Sequence, residues 1–230
     1  MKISVIIPTL HEIQNLQELI PLLQEELKNF PHEIIVIDGG SEDESATFCR
    51  QNGVLFENSG RSSRAVQMNL GAKIASGDMF YFVHADTRPL KGFYSDILKA
   101  VEKGALVGCY RYRFDSENFL LKINGWFTRF NGLFSGGGDQ TLYIHRSIFK
   151  ELGGFNEEYC IMEDFELVRR IKKRFRFHII PRSIRVSARK YDQNSWFKVQ
   201  WANLMAFTYF IQHRDPKEIR QLYQKMLNTR

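Results

Sequence analysis

The sequence predicts an α/β fold with a mixed, mostly parallel central sheet flanked by helices. Three observations carry this expectation. Short β-branched runs end at proline or glycine, leucines at helical spacing separate them, and the two patterns alternate through the first half of the chain, as βαβ units require. With 43% of its 230 residues hydrophobic, the chain suffices for one sizeable core.

The elements follow in order. Ile3 to Ile7 is a β-branched run stopped by Pro8, and Glu12 to Phe30 then sets Leu16, Leu19, Ile20, Leu23 and Leu27 on one helical face. Ile34 to Ile37 forms the next strand and ends at Asp38 before Gly39-Gly40. Ser41 is expected to cap a helix whose first turn carries Glu42, Asp43 and Glu44. Val54 to Phe56 reads as a short third strand, 57–63 as a polar loop and 64–75 as a helix, after which Gly77-Asp78 turns into a strand from Met79 to Val83. Past Pro89 the alternation ends: a helix near 93–101, a strand over 105–114 and an aromatic helical stretch from Phe119 to Phe134 make a mixed sheet the expectation. Gly136-Gly137-Gly138 precedes a strand-like Thr141 to Ile144, and Gly153-Gly154 precedes a helical Glu163 to Lys173. Trp196 to Ile211 reads as a long aromatic helix, with an amphipathic segment after Pro216. The expected organisation is one domain over 1–190 and a helical extension over 191–230, packed on that domain or lying at a membrane surface.

A formal charge of +6 favours anionic partners, and charge alone does not choose among nucleotide phosphates, nucleic acid and acidic headgroups. Nucleic acid is set aside, because the positive charge is dispersed and no helix-turn-helix, zinc or RNP-like motif occurs. Cys49, Cys109 and Cys160 are odd in number, widely spaced and without a C-x-x-C pair, so neither a disulfide framework nor a thiolate zinc site is indicated. A reducing cytosol is the simplest compartment. The opening apolar run is too short for a secretory signal, and no segment is long and apolar enough to span a bilayer.

Two strands deliver carboxylates to their carboxyl ends, where open α/β sheets hold ligands: Asp38 after one, His84-Ala85-Asp86 after the other. Asp38 suits a ribose hydroxyl or a base imino group, or equally an Asx turn. If their strand continues, His84 and Asp86 point to the same side, where an imidazole and a carboxylate approach one divalent cation; the alternative is a packed histidine and a turn-capping aspartate. Glu163-Asp164 opens a segment that closes on Arg169, Arg170, Lys172 and Lys173. The helix dipole accounts for that charge order, yet a carboxylate at a helix start amid glycine-rich loops also suits a general base. Gly138-Asp139-Gln140 lacks the Lys-Ser/Thr of a P-loop and fits a loop bordering an acceptor, or a plain connection. Arg61 and Arg64 stand where a helix begins, within reach of a phosphate or base. In the tail, Arg185, Arg189 and Lys190 mix with Trp196, Phe197 and Trp201, a combination that suits either core docking or a membrane surface.

Taken in order, Ile6-Ile7-Pro8-Thr9-Leu10-His11-Glu12, Val36-Ile37-Asp38-Gly39-Gly40-Ser41, Asn69-Leu70-Gly71-Ala72, Gly77-Asp78, His84-Ala85-Asp86, Gly153-Gly154-Phe155 and Glu163-Asp164 resemble family 2 glycosyltransferases of the GT-A fold. Gly60-Arg61, His84-Ala85-Asp86-Thr87 and Gly138-Asp139-Gln140 are most similar to the radical-SAM/selenodomain-associated group within that family. The resemblance implies inverting, non-processive transfer from a nucleotide-diphosphate sugar to an unknown hydroxyl acceptor. It implies that Pro8, Thr9, Glu12, Asp38, Gly39 and Arg64 hold the nucleotide, that Asp86 with His84 anchors Mn²⁺ or Mg²⁺ on the diphosphate, and that Asp164, beside Glu163, is the base. Gly138, Asp139 and Gln140 fall on the acceptor side. One departure is that His84 stands where the family's first metal-motif aspartate is usual. The Q-x-x-R-W motif of processive synthases is also missing. A cytoplasmic enzyme is the expectation, its tail either packed on the domain or in peripheral contact with the inner membrane face. The alternatives are a nucleotidyltransferase and a non-catalytic domain that binds nucleotide or lipid.

Overall fold

Strands that are apolar at nearly every position need cover on both faces. The computed structural model, which describes residues 1–132, 135–137 and 140–227, provides it. Strand β1 (Ile3–Thr9) leads through helix α1 (Ile13–Leu27) to β2 (His32–Asp38), and α2 (Ser45–Gln51) leads on to β3 (Leu55–Asn58). Helix α3 (Arg64–Ile74) precedes β4 (Met79–Phe82) and the two-residue β5 (Thr87–Arg88). Then come α4 (Phe93–Glu102), β6 (Val107–Phe114), α5 (Phe119–Phe127), β7 (Leu142–His145), α6 (Arg146–Glu151), α7 (Glu163–Arg174) and β8 (His178–Val186). A short α8 (Arg189–Asp192) opens the tail, followed by α9 (Trp196–Ile211) and α10 (Pro216–Leu227).

The eight strands form one sheet in the order β3-β2-β1-β4-β7-β6-β8-β5. β1, β2, β3 and β4 pair in parallel, β7 runs antiparallel to both its neighbours, and β8 is parallel to β6. Alternation divides the core into two layers. Val5 and Ile7, Val36, and Tyr81 face α1 and α4, whereas Ile6, Ile35 and Ile37, and Phe80 and Phe82 face α3, α6 and α7. α3 comes so close that a Cβ on Gly71 would lie 2.4 Å from Ile6 Cγ2. Among the described residues no helix is long and apolar enough to cross a membrane.

Three expectations are corrected. Ser41 caps no helix: its N–H and hydroxyl are taken by Asp38, its Oγ accepts from His11 N, and α2 starts only at Ser45, whose N–H donates to Asp43. The strand carrying His84 and Asp86 stops at Phe82, and Thr87 N closes a turn onto His84 O, so these two side chains leave a turn and not a pleat. The aromatic stretch after Phe119 is helical only to Phe127; residues 133 and 134 lie outside the described residues. β8 escaped the sequence reading because Pro181 and two arginines, Arg182 and Arg185, interrupt it. The register with β6 skips from Ile180 to Ser183, which lets the proline sit outside the ladder.

Candidate active site

The carboxyl ends of β1 and β2 lie side by side, with Thr9 opposite Asp38. Gln67, a buried glutamine on α3, donates both amide hydrogens across this edge, to Thr9 O and Ile37 O at 2.8 Å each. It ties the ends of the two paired strands to α3. Its signal in the sequence is an amide on an otherwise apolar helix face.

Asp38 is buried, and its carboxylate is spent on the turn that follows. Oδ2 accepts from Gly40 N at 2.7 Å and Ser41 N at 2.6 Å, and Oδ1 accepts from Ser41 Oγ at 2.5 Å. Asp38 therefore shapes the loop Gly39-Gly40-Ser41, an Asx turn with Gly40 at φ +107°. Gly39 N donates to Thr9 O, and Pro8 is buried within β1.

Glu12 and Asp86 come together through a residue assigned from sequence only to the tail. Arg189 Nη2 lies 2.9 Å from Glu12 Oε1 and 3.7 Å from Asp86 Oδ2. The two carboxylate oxygens are thus at most about 6.6 Å apart, bridged by one guanidinium. The hydrogen bond to Glu12 raises the pKa of Arg189 further, so the cation is permanent. Nothing local marks this arginine; it arrives because β8 runs beside β6 and delivers α8 to the site.

On the opposite wall, α7 brings Glu163 and Asp164 to its first turn, both buried. Arg64 Nε approaches Glu163 Oε1 at 2.7 Å as an ion pair without hydrogen-bond alignment, and His84 Nε2 lies 3.9 Å from Asp164 Oδ2. A buried carboxylate needs such compensation, and the amino terminus of α7 adds its dipole. The residue before the pair, Met162, holds φ +66°, and the residue before Glu12, His11, holds φ +53°. Non-glycine residues in this region carry backbone strain that surrounding contacts must hold, and here both precede site carboxylates.

Those contacts are visible beneath the site. Asn69 on α3 donates to Phe155 O and Glu157 Oε1 and accepts from Phe155 N, all at 2.9 Å. Arg170 on α7 pairs with Glu166 and donates to Leu152 O and Gly154 O. The turn Gly153-Gly154-Phe155 is thereby clamped between α3, which carries Arg64, and α7, which carries Glu163 and Asp164.

Of the remaining candidates, Gln140 is buried and fully used: its Nε2 donates to Tyr110 O at 2.9 Å and its Oε1 accepts from Gly136 N at 2.6 Å. It braces the glycine loop from inside. Gly138 and Asp139 lie outside the described residues, and Arg61 is exposed. Beside Asp164 opens a cavity of about 720 Å³, walled by β6, α5, α9 and α10. Phe127, Phe130, Phe165, Leu204 and Phe207 form much of its surface, with Lys190 and Tyr223 among its polar groups. Sequence reasoning missed this cavity, because its walls come from segments far apart in the chain.

The fold that carries these residues has parallels among solved structures. Over 99% of this chain and 72% of the other, S. aureus TarS 1–349 in complex with UDP-GlcNAc superimposes at a TM-score of 0.67 with 17% identity. Mannosyltransferase PcManGT from Pyrobaculum calidifontis, in complex with GDP-Man and Mn²⁺, superimposes over 98% of this chain and 68% of the other, at a TM-score of 0.69 with 16% identity. These likenesses show the fold, which is GT-A. A dolichol-phosphate mannosyltransferase from Pyrococcus furiosus is 30% identical over 113 residues, or 46% of this chain and 31% of that protein. The chain thus spans about a third of the length of the curated relative it matches. The family model "Glycosyl transferase family 2" matches residues 4–161, more than half of the sequence, and the chain belongs to that family.

Proposed function

We propose that the protein is an inverting, metal-dependent, non-processive glycosyltransferase that moves a sugar from a nucleotide-diphosphate donor to a hydroxyl acceptor. The observation that carries this reading is the meeting of Glu12, Asp86 and Arg189 on one side of the site and of Arg64, Glu163, His84 and Asp164 on the other. TarS bound to UDP-GlcNAc and PcManGT bound to GDP-Man support a sugar nucleotide as the donor.

In this reading the loop around Thr9, Glu12 and Gly39, braced by Asp38, receives the nucleoside, and Arg189 and Arg64 face the diphosphate. Asp164 takes the proton of the acceptor hydroxyl as its oxygen bonds to the anomeric carbon. The bond from that carbon to the phosphate oxygen breaks on the opposite side, so configuration inverts, and the electron pair leaves with the nucleoside diphosphate. Arginine cations offset the charge that grows on the leaving group. Glu163 is a positioning residue: it holds Arg64, and His84 orients Asp164.

The donor set fits a divalent cation brought in with substrate. Among the described residues no group of three or more His, Cys, Asp or Glu side chains converges as a metal cage. Asp86, partly exposed, offers one carboxylate, as suits Mg²⁺ or Mn²⁺ bound through one protein carboxylate, phosphate oxygens and water. Such a cation supplies Lewis-acid stabilisation of the departing diphosphate. PcManGT, in complex with Mn²⁺, supports this assignment. The radical-SAM/selenodomain-associated subgroup, single addition per acceptor and a cytoplasmic site of action complete the reading. Cys49, Cys109 and Cys160, present as free thiols, are compatible with a reducing compartment.

The test is Asp164→Asn, assayed for nucleoside diphosphate release from UDP- and GDP-sugars with mixed saccharide and lipid acceptors. Transfer is expected to fall by about 10²–10⁴-fold while donor affinity holds within about twofold. Undiminished turnover removes Asp164 as the base.

A further inference from the structure

We propose that the cavity beside Asp164 receives an amphipathic alcohol taken directly from an anionic membrane surface, on which α5 and α9 rest. The acceptor assignment rests on the transferase reading; the surface assignment does not. The large apolar side chains that line the cavity and are themselves solvent-exposed mark an apolar mouth, Phe127 and Phe130 on one lip and Leu204 on the other. Both lips extend into exposed apolar faces. Phe119 and Trp126 flank the first, and Phe197, Trp201 and Ile211 share the helical face of Leu204 on the second, with Phe197 at 74% exposure.

α9 buries its other face, Val199, Ala202, Ala206, Phe207 and Phe210, against the domain and α10, so it carries large apolar side chains on both faces while covered on one side only. Charge identifies what covers the rest. Residues 119–132 and 196–211 contain no acid, and although Lys122 pairs with Glu117 just ahead of α5, Arg129 and Lys198 leave the two segments with excess positive charge. A second copy of the same face would set like charges together, whereas an anionic leaflet complements them. Exposed tryptophan and phenylalanine with interspersed cations is also the composition of surfaces that enter the headgroup region. Arg129 lies 4.7 Å over the Trp126 ring, which presents a guanidinium and an indole together.

The mouth then opens at headgroup level. An acceptor's apolar part passes between the aromatic lips into the cavity without crossing water, and its hydroxyl meets Asp164. Polar groups such as Lys190, Tyr223 and Asn203, linked by hydrogen bonds of 3.0–3.1 Å, give the cavity the few fixed polar contacts that orient a mostly apolar ligand.

The experiment is co-sedimentation of the full chain with phosphatidylcholine vesicles, with and without about 30% phosphatidylglycerol, for wild type and Phe197→Ser/Trp201→Ser. Binding to the anionic vesicles is expected, and the double variant should lose it by roughly tenfold or more with nucleotide binding unchanged. Tritiated 1-dodecanol in equilibrium dialysis tests the cavity. Uptake should fall in Ala206→Phe, which fills the cavity, and in Leu204→Asp at its exposed mouth, where folding is not at issue. Wild type that ignores vesicles, a double variant that binds them equally, self-association lost in that variant, or no dodecanol uptake would each overturn the proposal. Sugar-nucleotide binding without vesicle binding refutes this inference alone, and vesicle binding without sugar-nucleotide binding refutes the transferase reading.

Discussion

A single side chain, Arg189, stands between the two carboxylates Glu12 and Asp86. Glu12 and Asp86 hold two negative charges within one guanidinium's reach, so in the unliganded protein the arginine offsets half of the charge that would otherwise repel an incoming diphosphate. Arg189→Gln should therefore weaken UDP or GDP binding in metal-free buffer by roughly tenfold or more, the scale of a hydrogen bond to a charged group. Isothermal titration calorimetry measures this, and unaltered affinity would remove Arg189 from the donor site. The sequence could not reveal such a role. Asp38, Asp86 and Asp164 were legible because each follows a strand or opens a helix with a local signature, whereas Arg189 is one of several tail cations until the sheet order brings it home. Asp38 shows the opposite limit: its position was legible, but its carboxylate is committed to the Gly40-Ser41 turn, a choice that local pattern left open.

At the level of elements, the site depends on the amino-terminal strands keeping their register, and the far end of the sheet is tied by Glu33. Its Oε1 accepts from Ser4 Oγ and Ser76 N at 2.6 Å each, and its Oε2 accepts from Ser76 Oγ at 2.8 Å and Lys2 Nζ at 3.2 Å, so one carboxylate joins β1, β2 and the turn into β4. Burial pushes this carboxyl up, but the hydrogen bonds from Ser4, Ser76 and Lys2 outweigh it and hold the group at about 2, below its ordinary 4.5. A pKa depressed on folding stabilises the folded state fully above the ordinary value and loses that contribution as pH falls toward 2. Glu33→Gln should cost about 1.5–3 kcal/mol near neutrality, with the gap to wild type closing as the medium is acidified through that window, as urea unfolding at a series of pH values would show. A gap independent of pH would contradict the assignment. The strands joined here were also the most legible elements. β1, β2 and β4 announce themselves by dense apolar runs, while β8, broken by Pro181 and the register skip around it, does not.

Across the whole molecule, the proposed function gives the donor to the parallel half of the sheet and the acceptor to the mixed half with the tail helices. The first was readable because its residues stand beside their strands in sequence. The second was not, because β6, α5, α9 and α10 meet only through long-range packing such as Phe165 against Phe207, with ring centroids 5.8 Å apart. The account's central claim is that both halves address one ligand-binding centre. Calorimetric titration of UDP- and GDP-sugars with and without Mn²⁺, into wild type, Asp86→Ala and Asp164→Asn, tests it most directly. The account predicts that Mn²⁺ strengthens binding of one sugar nucleotide by roughly tenfold or more in wild type and Asp164→Asn but not in Asp86→Ala. Binding that ignores the metal in wild type, or that keeps its metal response without Asp86, would contradict it.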